Sequence, residues 1–515
     1  MNLFRVAAPW FSVLLLGSTV ALAADPSAPP PAPGTLRFRI PSDPATLDWN
    51  LAHTHSETYV IMNLMEGLLE EGPDLKPVPA LAESWSVTTD GKQYTFKIRK
   101  GVKWMDGVEL KAAHFVDSWK RLMNPSLKSS YASFLSEVSS VAAPDDFTFV
   151  VNLKGPVPHF IHMPTFWVTF PIRKDLVQKF GTHWADPARL VTLGPYKLST
   201  WDHGKRIVLE RNPTYWGKSP SVERAEIDIE ADDGKTRSLF SRGWYDFLLN
   251  STTEDFLSVK IGPAGEFVQM RQFPYLATYY LGFNTQSGPL RDVNFRKAVA
   301  QAINPKAFPA ALQGGQLPAT GWIPPGVQGG SSGLALEFSL YDARAALSRA
   351  GYAEGTEPPK LDLWVSPADG AQAMGKVVTD GLKQGLGITV TSHLGSSADF
   401  QAAVKSGKAQ LFLSRWGLDY PDPSSAMEVF LSSSGTNYTR WKNPQYDAAV
   451  AKGRSALIPR EREDAFRTAE EILLRKDVAV VPLFHSKNTV LVGRRVHKLE
   501  ISPLNYLFLK GIELK

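Results

Sequence analysis

The sequence predicts an α/β protein with several sheets, divided over two or three domains. Three observations carry that expectation. At 515 residues the chain is too long for one hydrophobic core. Segments with the two-residue alternation of strands interleave with segments that carry a helical apolar stripe. The hydrophobic fraction is 43% and the charged fraction 21%, which fits a globular chain and neither a disordered nor a polytopic membrane one. Strand alternation is clear at 36–40, and again where Tyr94, Phe96 and Ile98 face away from Thr95, Lys97 and Arg99. Segments 147–153, 206–210, 225–230, 361–365, 388–392 and 409–413 read the same way. For helices, Phe115, Trp119, Leu122 and Met123 put one stripe on 112–123. Asp342 is the expected N-cap of a helix over 343–350, closed by Gly351. A further helix is expected from Pro459 to Lys476, with Phe466, Ala469, Ile472 and Leu473 buried.

The start of the chain gives an address. One positive charge precedes an apolar stretch over 6–20, which ends in Ala21-Leu22-Ala23, a small-x-small cleavage pattern. Pro9, Ser12 and Gly17 interrupt it, so 1–23 is expected to be a removable export signal and not a span. Residues 24–35 hold five prolines among small residues and predict an extended linker. No lipid-attachment cysteine follows, so the product is expected to be soluble and non-lipidated, with no stable membrane insertion.

Composition narrows the chemistry. The chain has no cysteine, which removes disulfides, thiolate metal sites and cysteine nucleophiles together. A net charge of +5 is spread along the chain without a basic block, so no nucleic-acid partner is expected. The sequence contains no GxxxxGK[ST], HExxH or GxGxxG motif. Two histidine pairs stand out. His53-x-His55, followed by Glu57, would put both rings on one face of a strand as a metal pair, or else line a cleft. His159 and His162 lie in an aromatic loop that favours packing. Trp201, Trp216, Trp322, Trp416 and Trp441 sit in turn-rich segments, where aromatic rings can wall a ligand cleft or pack a core.

Residues 61–125 contain, in order, "EGLLE", "PALAESW", "DGKQYTFKIRKGVKWMDG" and "FVDSWKRLMNP". Four more blocks follow, at 193–217, 279–303, 341–352 and 414–433, the last reading SRWGLDYPDPSSAMEVFLSS. In these blocks and their order the chain resembles the family 5 extracellular solute-binding proteins of ABC importers, the oligopeptide, dipeptide and nickel binders. The resemblance implies a two-lobed periplasmic-binding-protein fold with an extra inserted domain and a hinge between the lobes. Lobe 1 would comprise 36–58, 190–274 and 490–515, the inserted domain 59–189, and lobe 2 275–489. It implies a monomeric periplasmic protein, not an enzyme and without cofactor or resident metal, that captures short peptides and delivers them to an inner-membrane permease.

The resemblance also nominates residues. Asp419 matches the family aspartate that pairs with a peptide's α-ammonium; an Asx-turn ahead of Pro421 is its structural alternative. Trp416 would wall the cleft and Gly417 lie along the ligand backbone. Thr54 and His55 fall where backbone meets an extended ligand. Tyr131 matches a cleft tyrosine, and Asn250 and Tyr280 are further carry-overs. Arg415 departs from the family pattern in register, which leaves ligand length and peptide identity open. The same fold can hold a nickel chelate, a sugar or another solute. A secreted hydrolase and a chaperone-like receptor for unfolded segments are the readings from other classes.

Overall fold

A computed structural model describes residues 31–515, apart from 262–264, 331–332, 354 and 369. The predicted signal and most of the proline-rich linker lie outside the described residues. Among the described residues strands and helices alternate over five sheets, so the mixed architecture expected from periodicity is present.

One four-stranded sheet joins Thr35–Ile40, Arg224–Ile229, Arg206–Arg211 and Tyr196–Asp202, in that order. Residues near the start of the described chain thus pair in parallel with a strand almost two hundred positions on. A second four-stranded sheet is built only from 82–153, with Ala82–Val87, Gln93–Ile98, Thr148–Leu153 and Val138–Asp145 as neighbours. Its inner face, Phe96 and Phe149, packs on Phe115 and Trp119 of the helix Ala112–Leu122. The largest sheet has seven strands. Its central pair is the long antiparallel ladder of Gln269–Phe283 with Val480–Val492, flanked by Phe247–Leu248 on one side and Leu411–Gly417, Leu361–Val365 and Val390–Leu394 on the other, with Leu317–Pro318 also paired to Val480–Val492. A separate apolar cluster, including Phe283, Phe295, Leu363, Val378 and Phe484, lies between this sheet and its helices.

Several expectations shift by a turn or less. The helix expected at 343–350 runs Leu340–Arg349 with Ser339 as its cap, whose hydroxyl accepts from the Asp342 N–H at 3.2 Å. Asp342 sits in the first turn, where its charge still suits the helix dipole. The helix from Pro459 is α to Glu471 and then widens into a π-turn, Ile472–Lys476. The strand expected at 409–413 instead spans Leu411–Gly417, because pairing with 277–283 holds Arg415, Trp416 and Gly417 in the ladder. Trp416 is therefore a strand residue and not a loop one. Trp322 and Trp441 are buried, at 1% and 5% exposure, and Trp201, Trp216 and Trp441 donate their indole N–H groups to Asp43, Glu66 and Asp477. These four rings hold the fold and leave wall duty to others. No helix among the described residues is long and apolar enough to cross a membrane.

The C-terminal residues close the N-terminal ones. Asn63 donates to the Leu507 carbonyl and accepts from the Leu509 N–H, at 2.9 and 2.8 Å. Glu66, 5% exposed, takes Tyr215, Trp216 and Lys510 as donors, and Lys510 also pairs with Glu70. Gly194 is wedged beside the end of the helix His55–Leu64, which carries Asn63: a Cβ there would lie 2.6 Å from the Leu64 carbonyl carbon and oxygen. Backbone cannot step aside as a side-chain tip can. Gly194→Ala should therefore lose about 1–3 kcal/mol in chemical denaturation. Gly155→Ala, whose Cβ position meets nothing within 4 Å, should unfold like the parent.

Candidate functional site

The site forms where the long ladder is interrupted. Between Pro274 and Thr278 the pairing of Gln269–Phe283 with Val480–Val492 breaks register. A proline in a strand interior supplies no N–H, which makes such a break the expected place for a bulge. Through the gap the backbone finds other partners: the Leu276 N–H donates to the Pro503 carbonyl, and the Leu418 N–H to the Leu276 carbonyl, both at 2.8 Å. This gap sets the faces of the strand. Tyr279 lies opposite Arg415 and Ala277 opposite Gly417, whereas Tyr280 lies opposite Ser414. The Arg415 guanidinium stands 5.3 Å over the Tyr275 ring and 5.9 Å from that of Tyr279. No carboxylate lies within ion-pair distance of it among the described residues.

Asp419 follows directly after the strand end. Its N–H donates to Ser425 Oγ at 3.0 Å, which fixes the local turn. Among the described residues no hydrogen bond or ion pair reaches its carboxylate. Burial raises that carboxyl to about 6. Around it stand aromatic groups: burial, and then the Asp419 charge, push up the hydroxyls of both Tyr131 and Tyr506. Tyr131 packs edge-on against Phe166 and Trp167, each at 5.4 Å, and Trp167 meets Tyr506 at 5.8 Å. The result is a lone desolvated carboxylate at the end of an aromatic box. A carboxylate so placed is a costly half of an ion pair, and a cation that fits beside it recovers the difference.

The other nominated residues divide. Trp416 is half-buried and its indole donates to the Ser425 carbonyl at 2.8 Å, so it braces the turn that carries Asp419. At Gly417 a Cβ would come to 3.3 Å from the Tyr275 hydroxyl, so the missing side chain is what keeps that strip of backbone open. Thr54 is the N-cap of the helix His55–Leu64: its hydroxyl and N–H both donate to Glu57 Oε2, which also takes the His53 N–H. The His-x-His segment therefore enters a helix and is not a strand. His55 stacks on Tyr59 at 5.9 Å, and surrounding protein, then the Arg415 charge, lowers it to about 4. Asn250, exposed and at φ 52°, bears on the Tyr59 hydroxyl together with Asn505. Tyr280 is a correction. It is 3% exposed and packed among Trp322, Phe412 and Phe430, because it lies on the opposite face of its strand from Tyr279.

Both histidine pairs serve the fold. His159 is buried and stacks on Tyr420 at 5.3 Å, while His162 bonds Glu71 at 2.8 Å. Among the described residues no group of three or more histidine, aspartate or glutamate side chains is arranged to hold a metal ion. Periodicity missed Tyr59, Tyr275 and Tyr506, and it missed Glu57, whose Oε1 is buried without a partner. Pro274 ahead of Tyr275 was the one available signal, since it marks the break that turns Tyr275 toward Arg415.

The His55–Arg415 relation is testable alone. Arg415→Gln removes the second cause of the low His55 value, so its imidazole should titrate higher than about 4 yet stay below an ordinary histidine. NMR of the His55 ring carbons reads this directly; an unmoved midpoint would separate the two residues.

Comparison with known proteins gives this geometry a family. Residues 76–438 match the family described as bacterial extracellular solute-binding proteins, family 5. The periplasmic oligopeptide-binding protein OppA of Escherichia coli (strain K12) is 31% identical, over 95% of this chain and 94% of its own. The probable deoxycholate-binding periplasmic protein YgiS of the same strain is 26% identical, over 98% of both chains. Among solved structures, Haemophilus influenzae OppA in complex with RPPGFSPFR is 26% identical with a TM-score of 0.76, covering 94% of this chain and all of the other. The fold is thus the two-lobed α/β architecture of periplasmic binding proteins. The chain belongs to the bacterial extracellular solute-binding proteins of family 5.

Proposed function

We propose that this protein is a periplasmic receptor, carried across the membrane by residues 1–23, that captures short peptides between two closing lobes and presents them to an inner-membrane ABC permease. It binds and releases; it does not catalyse. The observation that carries this reading is the desolvated Asp419 carboxylate with no partner, a fitting seat for a peptide's α-ammonium. Arg415, the cation lacking an acid partner four residues earlier, supplies the complementary charge for a ligand carboxylate. Gly417 leaves backbone accessible between them, which suits recognition of main chain over side chain.

The lobes proposed are 36–58 with 190–274 and 490–515, then 275–489, with 59–189 inserted and the hinge at the crossings near 274 and 490. The register break at Pro274–Thr278 supports a hinge there, since paired backbone resists bending and unpaired backbone does not. Contacts between Glu137 and Arg454 at 3.0 Å, and between His159 and Tyr420, join the inserted segment to the far lobe. The relatives named as binding proteins support a non-catalytic role.

A second reading has one observation in its favour. The cleft is rich in aromatic rings and Arg415 is a cation without an acid partner, so an amphipathic carboxylate solute would also fit. Such a solute carries no ammonium and would be indifferent to Asp419.

Asp419→Ala should weaken binding of a tripeptide with a free N-terminus by at least about 100-fold, roughly 3 kcal/mol. N-acetylation of the peptide should cost a similar amount with the parent protein and little more with the variant. Calorimetric titration measures both; equal affinity of parent and variant for the free peptide would remove the ammonium seat.

The pH dependence has a definite sign. In the empty protein the Asp419 carboxyl is raised to about 6, and an ammonium beside it lowers that value. Binding should therefore be fullest above about pH 6 and fall by up to about tenfold per unit below it. The same titrations repeated between pH 4.5 and 7.5 check it, and Asp419→Asn should flatten the curve.

A further inference from the structure

An open groove of about 790 Å³ lies apart from the cleft, between the 3-10 helix Gly288–Arg291, the loop 432–442 and Asp477 just past the π-turn. None of the peptide-site residues lines it. Its volume is within the range of small-molecule sites. Four of its side chains are cationic: Arg291, Arg296, Arg440 and Lys442. Arg291, Arg440 and Lys442 are exposed, and no carboxylate lies within ion-pair distance of any of them among the described residues. Arg296 is buried at 5% exposure, and all its bonds go to neutral carbonyls, those of Leu290, Arg291, Asp477 and Val478. The carboxylates of Asp477 and Asp292 lie near enough to act on its charge, though neither bonds it. The one acid in the lining, Asp477, already has Oδ2 occupied by the Trp441 indole at 2.8 Å and the Asn443 amide at 2.9 Å.

Two further details point to a ligand. Ser432 lines the groove, and its hydroxyl is buried without a hydrogen-bond partner. Arg440 adopts φ 56°, a left-handed conformation a long side chain rarely takes, and one edge of its guanidinium is tethered to the Lys405 carbonyl at 2.8 Å. The tether orients the remaining N–H groups. Three exposed cations, two of them held by single carbonyl bonds (Arg291 to Gln286, Arg440 to Lys405), a buried cation and a hydroxyl without a partner match a solute with several anionic oxygens, for which guanidinium is the preferred donor. We infer that this groove is a binding site for a small polyanion bearing phosphate or carboxylate groups, separate from the peptide cleft.

The test is calorimetric titration of the full chain with inorganic tripolyphosphate and, in a separate arm, citrate, both at low ionic strength. The expected result is saturable one-to-one binding of at least one anion, weakened at least tenfold by the double substitution Arg291→Gln with Lys442→Gln. Tripeptide affinity should be unchanged in that variant. Arg440→Gly, which suits the left-handed backbone while removing the cation, should weaken the anion by a similar factor and provides a second, strain-free probe. Binding of one anion alone assigns the class, phosphate or carboxylate. No saturable binding of either, or undiminished binding by both the double variant and Arg440→Gly, would overturn the site.

Discussion

The ladder between Gln269–Phe283 and Val480–Val492 is the constraint on which the rest of the molecule depends. Its two ends serve different neighbours. Gln269 and Met270 pair with Val492 and Leu491, which in turn pair with Phe247 and Leu248; Ala277 to Phe283 pair with Leu411 to Gly417. Two strands thus tie together elements from widely separated parts of the sequence. An unbroken ladder would do this rigidly. The interruption at Pro274–Thr278 gives the same two strands a place where backbone bonds point elsewhere, and that is where Tyr275 and Arg415 meet.

Electrostatic incompleteness distinguishes the site from the rest of the interior. Several buried acids elsewhere are matched: Asp48 is clasped by Arg121, Asp422 by Arg462, and Glu66 by Lys510 with two aromatic donors. Such matching is what a desolvated charge requires to be tolerated. Asp419 and Arg415 break the pattern within one short segment, with opposite signs. An acid and a base four residues apart, each without a charged partner, place an unmet demand for counter-charge of both signs in one short segment.

How much of this was legible in the sequence depended on how local the cause was. The strand at Leu361–Val365 was readable to the residue because its alternation and flanking turn signals are all nearby. Asp419 was readable through its motif, though its lack of a partner was not, since that depends on everything packed around it. Tyr279 and Tyr280 show the limit. Adjacent strand residues point to opposite faces, and only the distant pairing with 411–417 decides which one reaches the core. Here it is Tyr279 that lies beside Arg415, while Tyr280 turns into the core. The strand geometry considered for His53 and His55 is absent for a similar reason: one-residue spacing means a shared face on a strand, whereas the Thr54–Glu57 capping box starts a helix between them.

The late arrival of the C-terminal partners has a consequence for how the chain folds in time. Asn63 waits for Leu507 and Leu509, Glu66 waits for Lys510, and Ser221 donates to the Ile512 carbonyl at 2.6 Å. Contacts of such sequence separation close large loops and form slowly. Until the last ten residues emerge, the first helix and the sheet beneath it lack the groups that satisfy their buried amides and carboxylates. The bonds that seal the first helix are thus among the last that the growing chain can make.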